Sequence, residues 1–158
     1  LNGSGVGTMT ADFCANQGGV LTVGSLCASG IARNFYKWTS PQPTAQTYSV
    51  YVSYKLPSTF KNFYDSGTIK LTGYRDHGSN ANLQLSAFRS TGSAISQCGS
   101  TTQITTGTST WDTVSLSGTD ETTCGFQAGE YVIFRIDVTS QSNANVYVEN
   151  LEFRYTNT

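Results

Sequence analysis

Apolar and polar positions alternate most regularly between Gly129 and Val138, where Val132, Phe134, Ile136 and Val138 recur at every second residue. Successive side chains of a strand point to opposite faces, so this period of two puts those four on one face and Tyr131, Ile133, Arg135 and Asp137 on the other. The run lies between Gln127-Ala128-Gly129 and Ser140-Gln141-Ser142-Asn143, both turn signals, and reads as the central strand of an antiparallel sheet. A second clear strand runs from Tyr48 to Leu56, with Tyr48, Val50, Val52, Tyr54 and Leu56 sharing a face until Pro57 ends it. Further strands are expected over Thr68 to Arg75, Leu83 to Phe88, Ala94 to Cys98, Gln103 to Thr105 and Trp111 to Leu116.

From Val146 to Tyr155 the phase changes: Val146 and Val148 agree with each other, whereas Leu151, Phe153 and Tyr155 are one residue out. A β-bulge near Glu149-Asn150 restores the pattern, because one inserted residue flips every later side chain. Phe60 and Phe63 fall in a connection read as holding one helical turn, and no longer helical pattern is present. The tetrapeptide Ser-Asn-Ala-Asn occurs at 79–82 and again at 142–145, each time ahead of a strand, and both copies are expected to build the same turn. Eight or so short strands spaced by turns give an all-β antiparallel sandwich, most simply a jelly roll.

Residues 1–13 are Gly-rich and read as an arm, with Val6, Met9, Ala11 and Phe13 as its apolar positions and the alternation of a strand that has no local partner. The expectation is an N-terminal strand-forming arm ahead of a single domain over 14–158. Cys14, Cys27, Cys98 and Cys124 lack the paired spacing of a zinc site and are read as two disulfides, most simply Cys14 with Cys27 and Cys98 with Cys124, in a secreted protein. No initiating Met, membrane-length apolar run or signal-peptide core is present, which reads as a mature, processed form.

The segments 128–136 and 146–153 together resemble the last two strands of galactose-binding-like jelly rolls, a group that includes many carbohydrate-binding modules and domains of cell-surface and phage fibre proteins. The resemblance spans about the last 30 residues. It implies the sandwich fold and transfers no sugar-binding motif to named positions.

Only 12% of residues are charged and the net charge is -1, which argues against a nucleic-acid surface. Asp76, His77 and Ser79 share one turn, but a triad needs its base oriented by a carboxylate from elsewhere in the fold, so the stretch reads as a surface turn. Asp112, Glu130, Asp137, Glu149 and Glu152 are the acids from which a glycosidase pair would have to come, and their positions near strand ends favour solvated roles. No cofactor is called for; a structural Ca²⁺ stays open, since its oxygen ligands come largely from backbone carbonyls. The aromatics Trp38, Trp111, Tyr36, Tyr51, Tyr74 and Tyr147 could furnish a sugar-stacking platform, with Trp38, Trp111 and Tyr147 the candidate glycan contacts, and Asn2-Gly3-Ser4 is a candidate glycosylation sequon. The leading expectation is a non-enzymatic, extracellular or cell-surface structural subunit, polymerised with copies of itself by adding its arm as a strand to a neighbour's sheet. The alternative is a carbohydrate-binding module or adhesin domain.

Overall fold

The computed structural model describes residues 5–14, 33–63, 69–92, 94–104, 110–116 and 124–157. Their strands are β1 (Thr8–Cys14), β2 (Arg33–Thr39), β3 (Gln46–Lys55), β4 (Phe60–Phe63), β5 (Lys70–Arg75), β6 (Ala81–Ser90), β7 (Ile95–Gln103), β8 (Trp111–Ser115), β9 (Tyr131–Ser140), β10 (Asn145–Glu152) and β11 (Tyr155–Asn157). They form a five-stranded sheet in the order β1-β2-β10-β5-β8, a four-stranded sheet in the order β3-β9-β6-β7, and a small β4-β11 ribbon. With β1 set aside, the two four-strand orders are those of two interleaved Greek keys, which define a jelly roll.

The alternation read on the central strand is realised in full. In β9, Val132, Phe134, Ile136 and Val138 are all buried, between β3 on one side and β6 on the other. They meet Leu71, Val146 and Trp38 of the facing sheet in one core. The expected bulge is present: the β10–β5 register shifts between Val148 and Asn150. Two local expectations fail. Phe60 and Phe63 lie in a strand paired with β11, not in a helical turn, and both are buried. The two Ser-Asn-Ala-Asn copies lie near each other, with Gln141 N, just ahead of the second, donating to Asn80 O of the first at 2.9 Å, but they are not the same turn. Ser142 and Asn143 have φ of 53° and 65°, and Ala144 N closes the turn on Gln141 O at 3.1 Å. The other copy has no residue of positive φ and is held by His77 Nδ1, which accepts from Asn80 N at 3.2 Å.

The arm is tied at home. Strand β1 pairs antiparallel with β2 along its whole length, from Thr8 opposite Thr39 to Cys14 opposite Arg33. Val6 N donates to Gln46 Oε1 at 3.0 Å, and Ser40 Oγ donates to Val6 O at 2.5 Å. Val6, Met9, Ala11 and Phe13, read as contacts donated to a neighbouring subunit, thus belong to a segment that lies along its own domain: β1 pairs on one side with β2, and Met9 packs against its own core. The glycines that made the segment look flexible serve close approach instead. A Cβ on Gly7 would lie 2.5 Å from Thr39 O and 2.7 Å from the Trp38 ring.

Cys98 and Cys124 form a disulfide as expected, with Cα atoms 5.1 Å apart. Its companion, Cys14 with Cys27, and the Asn2 sequon lie outside the described residues. Among the described residues no helix is long and apolar enough to cross a membrane.

Candidate functional site

The outward side of the four-stranded sheet carries rows of polar side chains, of which Asp137 and Ser86 are largely buried by their neighbours. Its composition follows from the period of two: where Val132 to Val138 face inward, Tyr131, Ile133, Arg135, Asp137 and Thr139 face out. Register then sets the rows. Ser49 of β3, Asp137 of β9, Gln84 of β6 and Gln103 of β7 fall in one row across four strands. Tyr51, Arg135 and Ser86 make the next.

Within these rows the side chains hold one another. Ser49 Oγ donates to Asp137 Oδ1 at 2.6 Å, and Arg135 Nε lies 3.0 Å from Asp137 Oδ2 as an ion pair without hydrogen-bond alignment. Gln84 Nε2 donates to Gln103 Oε1 at 3.1 Å, and Ser86 Oγ meets Thr101 Oγ1 at 2.8 Å. The Arg135 guanidinium lies over the Phe88 ring, 5.2 Å from its centre. Two exposed tyrosines stand on this face: Tyr51, at 51% exposure, in the second row, and Tyr131, at 45%, opposite Lys55, whose ammonium lies 6.0 Å from its ring centre. They are one strand and four residues apart, roughly 14 Å at the backbone by ordinary strand spacings. The face thus offers amide and hydroxyl groups, with the largely buried Asp137 carboxylate and the Arg135 guanidinium, in two adjacent rows, of which the second carries the exposed Tyr51; Tyr131 lies two rows further along, past Ser53, Ile133 and Phe88.

The three candidate glycan contacts lie elsewhere. Trp38 is a core residue, 2% exposed, with Nε1 donating to Gln46 O at 3.1 Å and its ring against Tyr48. It is corrected from glycan contact to core: an aromatic run cannot reveal which parity faces inward. Trp111 and Tyr147 are brought together on the outward side of the other sheet, in a cluster with Phe35 and Tyr74 whose ring centres are 5.3–6.1 Å apart. Tyr147 is buried there, and that burial, with the Asp76 carboxylate and Tyr74 nearby, pushes its phenol up to about 12. Trp111 is half-buried, with the Arg33 guanidinium 4.6 Å from its ring centre, so a cation already covers one face. Tyr51, one of the aromatics named in the sequence, does lie exposed on the outward side of the four-stranded sheet; Tyr131 is not among those named, although it stands on the polar side of a clear alternation, which is the available signal.

The acids are engaged. Glu130 is gripped by Arg89 through Nε at 2.8 Å and a terminal nitrogen at 2.6 Å, and Arg89 holds its carboxyl below the usual carboxylate range. Glu149 pairs with Arg33, Glu152 with Arg154, and Asp112 Oδ1 accepts from Thr113 N. Asp76 caps Asn145 through both the backbone N, at 2.7 Å, and the side-chain amide, at 2.5 Å, and so does not orient His77. Among the described residues no group of three or more His, Cys, Asp or Glu is placed to hold a metal ion.

No protein-family model and no curated protein matches the sequence. In fold the chain is similar to the enzymatically active domain of tailspike protein 4 of bacteriophage CBA120, with a TM-score of 0.56 and 11% identity over 98% of this chain and 18% of that one. It is also similar to a structure described under carbohydrate-binding modules of the β-sandwich superfamily with promiscuous specificity, with a TM-score of 0.53 and 14% identity over 96% of this chain and 56% of that one. The chain thus spans under a fifth of the first and little more than half of the second. These likenesses establish the fold, and they bear out the resemblance to galactose-binding-like jelly rolls carried by the last strands.

Proposed function

We propose that this chain is a non-catalytic carbohydrate-binding module that holds an oligosaccharide across the outward side of the four-stranded sheet. The observation that carries the reading is the polar row Ser49-Asp137-Gln84-Gln103 with the exposed Tyr51 in the adjacent row and Tyr131 further along the same face. A sugar chain presents hydroxyls that both donate and accept, matched by amide and carboxylate side chains, and C–H faces that pack on aromatic rings. The separation of Tyr51 from Tyr131 suits a ligand longer than one ring. Mutual hydrogen bonding within the row preorganises it, which reduces the entropy lost on binding. The β-sandwich carbohydrate-binding modules of similar fold lend support. A disulfide and a low surface charge favour an extracellular or cell-surface location.

Glycan-array screening followed by calorimetry with the best ligand tests this. Tyr51→Ala and Gln84→Ala are each expected to weaken binding about tenfold or more, equivalent to about 1.4 kcal/mol, with the circular dichroism spectrum kept. Trp111→Ala, on the other sheet, is expected to bind as the native chain does. Retention of no glycan at millimolar concentration, or loss of binding in Trp111→Ala but not in Tyr51→Ala, would overturn the assignment.

A further inference from the structure

The two sheets do not meet along one side. Between edge strand β1 of the five-stranded sheet and edge strand β3 of the four-stranded one lies an apolar cleft of about 520 Å³, lined among others by Met9, Tyr36, Tyr48, Val50, Val52 and Leu151. The side chains that β3 turns toward the core show the gap. Their partners on β9, Val132, Phe134, Ile136 and Val138, are at most 5% exposed, whereas Val52 is 38% exposed and Tyr48, Val50 and Tyr54 are only half-buried. Across the cleft Tyr36 is 61% exposed.

We propose that this cleft accepts an extended segment of a partner polypeptide, added as a strand to the β3 edge with apolar side chains at every second position directed inward. Three observations select a strand over any other occupant. Among the described residues β3 pairs with β9 alone and ends its sheet, so one row of its backbone donors and acceptors faces the cleft side. The register of β3 runs unbroken from Gln46 to Lys55, with neither the bulge nor the proline by which natural edges refuse a partner. The exposed apolar groups recur at a period of two, which an extended chain matches and a compact ligand does not. Gly5 to Gly7 cross at the Gln46 end, through the bonds of Val6 to Gln46 and Ser40, and so stop the added strand there. Among the described residues the edge left unpaired runs from Tyr48 to Tyr54.

The probe is an acetylated, amidated peptide, Lys-Val-Thr-Val-Thr-Val-Lys, titrated into isotope-labelled full-length protein and followed by amide resonances and hydrogen exchange. A control peptide of the same composition has its valines grouped together. The expected result is saturable binding of the alternating peptide alone, with new exchange protection confined to β3. Val52→Lys, at an exposed position that leaves the unfolding midpoint in place, is expected to weaken binding about tenfold or more by setting an ammonium in the cleft; Val52→Thr is expected to weaken it less. No saturable shift at millimolar peptide, equal binding of the two peptides, or an unchanged affinity in Val52→Lys overturns the proposal. So does a cleft that takes up decanoate but not the peptide, which would mark it as an acyl-chain site.

Discussion

Gly7 sits where a methyl group has no room, against a backbone oxygen and a buried indole, and neither can retreat without opening the β1–β2 ladder. Gly7→Ala is therefore expected to cost about 1–3 kcal/mol, in the range of overpacked core sites, read as a lower denaturant midpoint, with faster proteolysis of the amino-terminal strand. Glu130 gives an acid-side prediction. Its carboxyl titrates lower in the folded chain than in the unfolded one, so its contribution is present above the ordinary carboxylate value, about pH 4, and is lost as pH falls through the folded value. Glu130→Gln should flatten the fall of the unfolding midpoint on acidification. Tyr147 has the opposite sense. Its phenol is raised to about 12, so the folded state holds that proton more tightly, and its contribution is intact below about pH 10 and lost between there and the folded value. Tyr147→Phe should remove part of the alkaline loss in stability, and ultraviolet titration of the native chain should show one late phenol that the variant lacks.

At the scale of elements, the disulfide joins the β7 strand to the segment leading into β9 and closes a loop of 26 positions. Its reduction is expected to lower stability by about 3 kcal/mol, measured as the difference in unfolding free energy with and without reductant. Strands were legible wherever the period of two ran for five or more residues, as in β3, β6 and β9, and the bulge in β10 was legible as a change of phase. Phe60 and Phe63 misled because a spacing of three is what a helix face requires. In β4 both rings are nevertheless buried, packed edge to face at 5.4 Å, beside a register shift at Thr156 and Asn157. The arm misled for a different cause. Its partner β2 lies about 20 residues downstream, and nothing local announces the pairing of Met9 with Trp38.

For the whole molecule, the sandwich class was legible because alternation reports which side of each strand is buried, independently of what the strand pairs with. The candidate site was not, because it exists only once register aligns Ser49, Asp137, Gln84 and Gln103 from four distant stretches. The same architecture has a consequence in time. Tyr48 pairs with Val138, ninety positions further along the chain, and β9 is the strand that joins β3 to β6. At ordinary rates of synthesis β3 waits on the order of ten seconds for its partner to be made, so the four-stranded sheet cannot close before β9 has been added to the growing chain. Throughout that interval β3 has no β9 beside it, and Tyr48, Val50 and Tyr54 lack the sandwich core they pack against in the finished fold.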